Sequence, residues 1–598
     1  MKSVANLEEA ITYYHKALGL YAPGHPGRLV PLNNLANLFR TRYDRSGSME
    51  DLEEAIACNH EAISLCPLGH PDRPVSLDDL ASAVLARYKQ LGCMEDLEKA
   101  ITYNREALSL RPLGHLDRCV PLNNLANAIL TRYWQLGGME DLEEAMTYNR
   151  EALSLSPPGH PVRSTSLSSL GNAVISRYIT LGRMEDLEEA ITYHRDALSL
   201  NPPGHQDRPT SLNNLASAVI TRYEQSGKME DLEEVISYNR EALDLCPPGH
   251  PNRSLSLSNL GSAILSRFEL SGGKEDLEEA TTYHHEALGL RPPGHQDRPA
   301  SLNNLAISVL TRYKQSGNME DLEEVITYNR EALSLCPLGH PIRSVSLINL
   351  TSAVFSHYRQ SGRIEDLEEM IKCSSEALSL YAPGHPGRSM PLNNLAVTYF
   401  TRYEQLGKME DLKEAITCCH EVLSLHPPDH PNRSVFLINL AIAVFRYYKQ
   451  SGDTEDLEKV IAYNCEALSL RAPGHPDRFM PLNNLANAFF ARYEQLGKIE
   501  DLDEAITCNH EALSLCPLGH PDRPVSLSNL SIAVLAHYKE LGRMEDLEES
   551  ITYSREALSL YPPDHPDCSK CLSGLANAVL ARYVQTGRAE DLKESFML

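Results

Sequence analysis

Apolar positions return along this chain with two periods at once. In residues 31 to 73, PLNNLANLFRTRYDRSGSMEDLEEAIACNHEAISLCPLGHPDR, the residues Leu32, Leu35, Ala36, Phe39 and Tyr43 fall at helical spacing and make one apolar stripe. Pro31 suits a first helical turn, where its missing N–H costs nothing. Gly47 stands just past the stripe, as a left-handed C-terminal cap requires. This predicts a helix A. A second stripe follows at once: Leu52, Ala55, Ile56, Ala62 and Ile63. Asp51 with Glu54 has capping-box spacing, and the acidic residues favour the positive end of a helix dipole. This predicts a helix B that Pro67 ends.

The longer period is 45 residues. Gly47 recurs in thirteen copies through Gly587, and a His follows the same turn thirteen times, from His25 to His565. A fixed period of this length marks stacked repeats, each unable to bury both apolar faces alone. The expectation is one solenoid over 1–598. It has a half repeat 1–30, repeats starting near 31, 76, 121, 166, 211, 256, 301, 346, 391, 436, 481 and 526, and a truncated last repeat 571–598. A further period of 90 is visible: LNNLA starts at Leu32, Leu122, Leu212, Leu302, Leu392 and Leu482, with SLSSL- or SLINL-like copies between. The array reads as grown by copying pairs.

These residues resemble the tetratricopeptide repeat. Leu32, Leu35-Ala36 and Phe39 match its first helix; Ala55, Ala62 and Pro67 match its second. Leu32 stands where that family has Trp, and Asn59 where it has an aromatic; Tyr103, Tyr148 and Tyr193, one position earlier, are expected to fill that space. Each repeat is eleven residues longer than the standard 34. The His-Pro joint and the following LNNLA look like the kinesin-light-chain subclass. The consensus of the helix B copies, MEDLEEAITYNREALSLxPPGH, is similar to fungal arrays that often precede a caspase-like CHAT domain. The resemblance implies an all-α fold: a right-handed superhelical α-solenoid of antiparallel helix pairs, with helix A lining the concave groove.

On that implied groove the second Asn of LNNLA matches a position that contacts a bound peptide backbone. It is Asn34, Asn124, Asn214, Asn259, Asn304, Asn349, Asn394, Asn439, Asn484 and Asn529; Asp79, Ser169 and Gly574 depart. Three residues on, Asn37, Asn127, Asn172, Asn487 and Asn577 extend the face. An amide offers both donor and acceptor, so a ladder of them can hold an extended backbone. The competing reading is that these amides bond neighbouring helices. Ile307, Val397, Ile442 and Ile532 replace the second Asn set from the middle onward, which predicts a more apolar groove there. Small residues occupy the next turn (Thr41, Ala86, Thr131, Ser176, Thr221, Ser266), with Arg446 breaking the set, so a carboxylate clamp of Lys and Arg is not expected.

The repeated histidines are expected to be joints. One per repeat puts neighbours about a helix spacing, ~10 Å, apart, too far to share a metal. Gly69 and Pro71 shape the turn, His70 offers a polar edge to free backbone groups, and Arg73 pairs with an acid of an adjacent helix B. Cys568-Ser569-Lys570-Cys571 is the one C-x-x-C and lacks a second ligand pair. No G-x-S-x-G elbow or phosphate-binding G-x-x-x-x-G-K loop occurs. No catalytic residue, metal or cofactor is expected.

Composition narrows the partners. The net charge is −26 with no basic run, which argues against nucleic acid and anionic membranes. No stretch nears the ~20 apolar residues of a membrane span. Fourteen cysteines ignore the period, which fits reduced thiols in a cytosolic or nuclear protein, and the cytoplasm is the expected location. The partner expected is a protein or peptide in the groove. Helix A is missing before Leu7, and AEDLKESFML stops inside a helix B; both ends lack polar caps, so the ends self-associate or belong to a longer product. The reading is a non-enzymatic peptide-binding scaffold, with the recognition arm of a CHAT-domain protease as the alternative.

Overall fold

The computed structural model describes residues 2–597 except 251, 429, 431, 518, 519, 521 and 562–567. Gly519, Pro521 and His565 of the repeated joint therefore lie outside the described residues. The described chain holds twenty-seven α-helices and four short 3-10 turns, with no strand among the described residues. They form antiparallel pairs, an all-α, tetratricopeptide-like α-solenoid. The chain divides into two compact units, residues 1–395 and 396–598.

A typical pair is helix A over Leu29–Ser46 and helix B over Met49–Ser64. Helix A ends where the sequence places it. Gly47 takes φ 72°, and its N–H reaches Tyr43 O at 2.8 Å. The stripes become the core: Leu32, Leu35, Ala36, Leu52, Ala55 and Ala62 are all buried. Layers are thin, so small residues opposite large ones set the spacing between helices.

Helix B starts differently from the expectation. It begins at Met49 with Ser48 as N-cap, which makes no side-chain cap. Asp51 is the third helical residue, not a cap. Its carboxylate lies buried against Arg42, with Nη2 to Oδ1 2.6 Å. Arg42 comes from the end of helix A, so the pair locks the A–B corner. It recurs as Arg87–Asp96, Arg132–Asp141 and Arg492–Asp501. The Asp hydrogen bond raises the Arg42 pKa above its ordinary value. Where Arg is absent the acid is still answered: His357 Nδ1 meets Asp366 at 2.7 Å, and Lys459 meets Asp456 at 3.1 Å where Tyr447 stands.

Tyr103, Tyr148 and Tyr193 pack against the core from one position before the missing aromatic. Tyr148 and Tyr193 are half-buried and bond Glu144 and Glu189, four residues back. The Asn59 position itself is buried in each repeat, as at Asn104, Asn149, Asn239 and Asn329. An Asn is short enough to sit against helix A without displacing it.

The joint is built as the sequence suggests. His70 Nδ1 accepts a hydrogen bond from the Asp72 N–H at 3.2 Å, and Arg73 N–H reaches His70 O at 3.2 Å. The same cap recurs at His25, His160, His295 and His475. Arg73 then binds Glu106 at 2.6 Å and the Cys66 carbonyl at 2.8 Å, tying the loop to the following helix B.

Candidate functional site: the helix A face

The two asparagines of LNNLA do different work. The first is the helix-to-helix residue. Asn123, Asn213 and Asn303 are buried and donate to Ser166, Ser256 and Ser346 at 3.0, 3.3 and 3.1 Å; Ser76 donates to Asn33 at 3.4 Å. Each bond joins an LNNLA helix to the Ser-bearing helix A after it. In these four pairs the 90-residue period is a physical pairing of Asn with Ser, not only a trace of duplication.

The second Asn is half-buried throughout: Asn34, Asn124, Asn214, Asn259, Asn304, Asn349 and Asn394 in the first unit, and Asn439, Asn484 and Asn529 in the second. Asn37, Asn127 and Asn172 are exposed and Asn487 is half-buried. The amides are not one uniform ladder. Asn34 donates back to its own helix, at Val30 O, 2.8 Å. Asn529 donates across to Asn483 Oδ1 at 2.8 Å, the helix-bonding role. Asn349 and Asn484 keep a side-chain nitrogen that is shielded from solvent and has no partner among the described residues.

The structure gathers three of these amides into one cavity. In the second unit, Asn484, Asn487 and Asn529 line a hollow of about 540 Å³ between the helices Arg433–Ser451, Phe479–Leu496 and Arg523–Leu541. Ile442, Phe445, Phe490 and Ile532 supply its apolar wall. Ile442 and Ile532, two of the apolar replacements of the second Asn set, are part of this lining, beside Asn484, Asn487 and Asn529. A neighbouring hollow of about 480 Å³ shares Phe490, Glu494 and Ile532 and reaches Asn577.

The expected lack of cations does not hold there. Arg446 and Lys449 both line the cavity, opposite Glu494. Arg446 is half-committed to Glu404 at 3.3 Å, and the Lys449 ammonium stands 4.9 Å over the Phe445 ring. The sequence flagged Arg446 as an exception but missed Lys449, one turn along the same helix. Helical spacing from Ile442 through Phe445 and Arg446 to Lys449 was the available signal.

In the first unit, Asp79 holds the ladder position. Burial, reinforced by Asp78, pushes its carboxyl up to about 6. Burial likewise raises Glu224 and lowers Lys89. No group of three or more His, Cys, Asp or Glu among the described residues could hold a metal ion. No helix among them is long and apolar enough to cross a membrane. Buried thiols such as Cys418 and Cys508 are pushed up to about 12, chiefly by burial, and are poor nucleophiles.

The tetratricopeptide repeat model matches residues 32–72, 210–252 and 392–432. No curated protein matches the sequence significantly. Among solved structures, the human IFIT1 dimer with m7Gppp-AAAA is similar at 15% identity and TM-score 0.45, covering 86% of this chain and 95% of that one. Kinesin-light-chain-type, nearly identical TPR-like repeats from Podospora anserina are similar at 19% identity and TM-score 0.27, covering 36% and 97%. At this distance the likeness is one of fold. One expectation is corrected: against the exclusion of nucleic acid, the similar IFIT1 structure holds m7Gppp-AAAA. Net charge describes the whole surface, while binding is decided by the local wall, and Arg446 and Lys449 show that wall can differ in sign.

Proposed function

We propose that this chain is a non-enzymatic interaction scaffold, acting in the cytoplasm, that holds an extended protein or peptide segment along helix A of its repeats. The second-unit cavity is the main site. One observation carries the reading: the Asn484 side-chain nitrogen is shielded, unpartnered and beside an open hollow. An unanswered buried donor costs about 1–3 kcal/mol. A ligand carbonyl would remove that cost, and Ile442, Phe490 and Ile532 would cover an apolar side chain beside it. In the first unit the half-buried amides, Asn349 above all, would offer the same kind of grip by themselves.

The test is a random peptide library selected on the full chain, followed by affinities against Asn484→Ala and Asn487→Ala. The expected result is a loss of about tenfold or more, one hydrogen bond's worth, with far-UV circular dichroism unchanged. Selected peptides that bind both variants as tightly as the parent would sink the site, and a selection that enriches nothing would sink the reading.

The narrower reading, the recognition arm of a caspase-like CHAT protease, rests on the MEDLEEAITYNREALSLxPPGH consensus alone. A transcript read through both ends tests it. A His- and Cys-bearing domain in frame supports it, and a stop after Leu598 rejects it.

A further inference from the structure

In the first unit the corners of early repeats rest on the joints of later ones. A Cβ on Gly47 would stand 2.5 Å from Gly294 O, and one on Gly137 2.6 Å from the His385 ring; Gly92 abuts Gly339 and His340 as closely. The three contacts advance together, 45 residues at a time on both sides. Two are backbone on backbone and the third is backbone on the His385 ring, and only glycine caps allow them. Polar bonds accompany them: Gln90 Nε2 reaches Gly294 O at 3.5 Å.

His385 shows the chemistry of the contact. Its Nδ1 accepts from the Gly387 N–H at 2.8 Å, so the proton of the neutral ring sits on Nε2. That Nε2–H donates to Trp134 O at 3.1 Å, a carbonyl in the last turn of a helix A, where carbonyls lack helical partners. His340 and His385 are 4% and 2% exposed in consequence.

Both halves of this contact recur unused. The joints at His70, His115 and His160 make the same Nδ1 cap, at 3.2, 3.3 and 3.3 Å, and so also carry their proton on Nε2. Nothing lies within 4 Å of a Cβ placed on Gly69, Gly114 or Gly159. In the second unit Gly452, Gly497 and Gly542 repeat the cap at φ 70°, 66° and 68°, again with nothing within 4 Å. Each row of three advances by 45 residues, the register of the contact already made.

We propose that a second copy of this chain docks its joint row, His70 to His160, on the cap row Gly452, Gly497 and Gly542. The second copy is the occupant because the two rows are sequence and backbone copies of surfaces that already fit one another. The leucines beside these glycines stand outside the contact itself, since Leu91, Leu136 and Leu338 stay 41%, 49% and 75% exposed where it is made. Each copy contributes a different surface, so the contact is heterologous and builds open chains or rings of molecules according to the rotation between copies. This differs from stacking through uncapped terminal helices, because it runs along the edges of the repeats.

Sedimentation velocity on the full chain across a wide dilution series tests it. The mass is expected to climb above the single-chain 66.6 kDa as concentration rises. Two variants separate the rows: His70→Ala with His115→Ala and His160→Ala removes the Nε2 donors, and Gly452→Ala with Gly497→Ala and Gly542→Ala puts a Cβ where the joint must come, with Gly227→Ala as the control for backbone strain. Each variant alone is expected to stay monomeric. A mixture of the two is expected to reach a dimer and stop, since one open row remains on each. A parent that keeps single-chain mass throughout overturns the proposal. So does assembly of either variant alone, or a mixture that stays monomeric.

Discussion

The His194 ring packs directly over Gly171. A Cβ on that glycine would stand 2.7 Å from both Nε2 and Cε1 of the ring. Twenty-three residues separate the two, one on helix B and one on helix A. The same offset pairs Gly261 with His284, where a Cβ would meet Nε2 at 2.6 Å. Elsewhere it pairs Ala126 with Asn149, Thr351 with Ser374 and Ser531 with Ser554. The last two pairs are joined by hydroxyl hydrogen bonds at 3.4 and 2.6 Å. The position is one volume shared by two helices: a ring on one side requires a bare backbone on the other.

Gly171→Ala should therefore destabilise the first unit by ~1–3 kcal/mol, the usual cost of overpacking. Adding His194→Asn should recover most of that loss, because it recreates the Ala–Asn pair of other repeats. Thermal melts of the two variants and of His194→Asn alone close the cycle. Additive losses in the double variant would show that the two side chains do not share the space.

His194 and His284 also set an acid limit. Burial pushes both down to about 4, against ~6.5 in an unfolded chain. The unfolded state then binds more protons between these values. Their neutral-form stability is whole above pH ~6.5 and falls as pH drops toward 4, by roughly 3 kcal/mol per histidine at most. His194→Asn should flatten the stability profile between pH 6.5 and 4. An unaltered profile in denaturant titrations would reject this account.

Asp79 acts in the opposite sense. Its folded value of about 6 lies above the unfolded ~3.9. The cost of holding it charged is therefore full above pH 6 and vanishes as pH falls toward 4. Asp79→Asn, which restores the ladder residue, should stabilise the chain by ~1–2 kcal/mol at pH 7 and by nothing at pH 4. Equal gains at both pH values would point to packing rather than charge.

The corner and surface ion pairs should differ sharply. Arg132 meets Asp141 at 2.7 Å with both side chains about 15% exposed, while Arg105 meets Glu144 with 47% and 32% exposed. Arg132→Ala leaves a shielded carboxylate and should cost ~3 kcal/mol. Arg105→Ala should cost under ~0.5 kcal/mol. Chemical denaturation compares them; similar losses would mean the corner is wetter than its geometry indicates.

Gly92→Ala and Gly227→Ala isolate the contact between corners and joints. Both glycines have a left-handed φ, 69° and 64°, so both pay the same backbone strain. Only Gly92 abuts a second backbone; Gly227 has nothing within 4 Å. Hydrogen exchange around Gly339 and His340 should rise in Gly92→Ala alone. A rise in both variants would assign the effect to strain.

Much of this protein is written in local spacing. The helix pairs, the glycine caps, the His-Pro joint and the Arg73 tether follow from periodicity and from the needs of free backbone groups. These interactions lie within one repeat, where sequence distance fixes spatial distance. The Arg42–Asp51 corner was read as a capping box because Asp at the start of a helix fits both roles. Only the three-dimensional turn brings the guanidinium to it.

What tertiary structure alone decided is which copies of one residue differ in role. Asn33 and Asn34 are neighbours of the same type, yet one bonds the next helix and the other faces outward, since helical rotation points them about 100° apart. Asn34 and Asn484 share a repeat position, yet one is satisfied and the other is not. Asn484 stands with Phe490, Ile442 and Ile532 in the lining of one cavity, its side-chain nitrogen shielded and unanswered. Gly92 and Gly227 read identically, yet only Gly92 lies against a joint 247 residues later. A repeat pattern fixes the local unit; small rotations added from repeat to repeat decide which distant units meet, and no short window of sequence contains that sum.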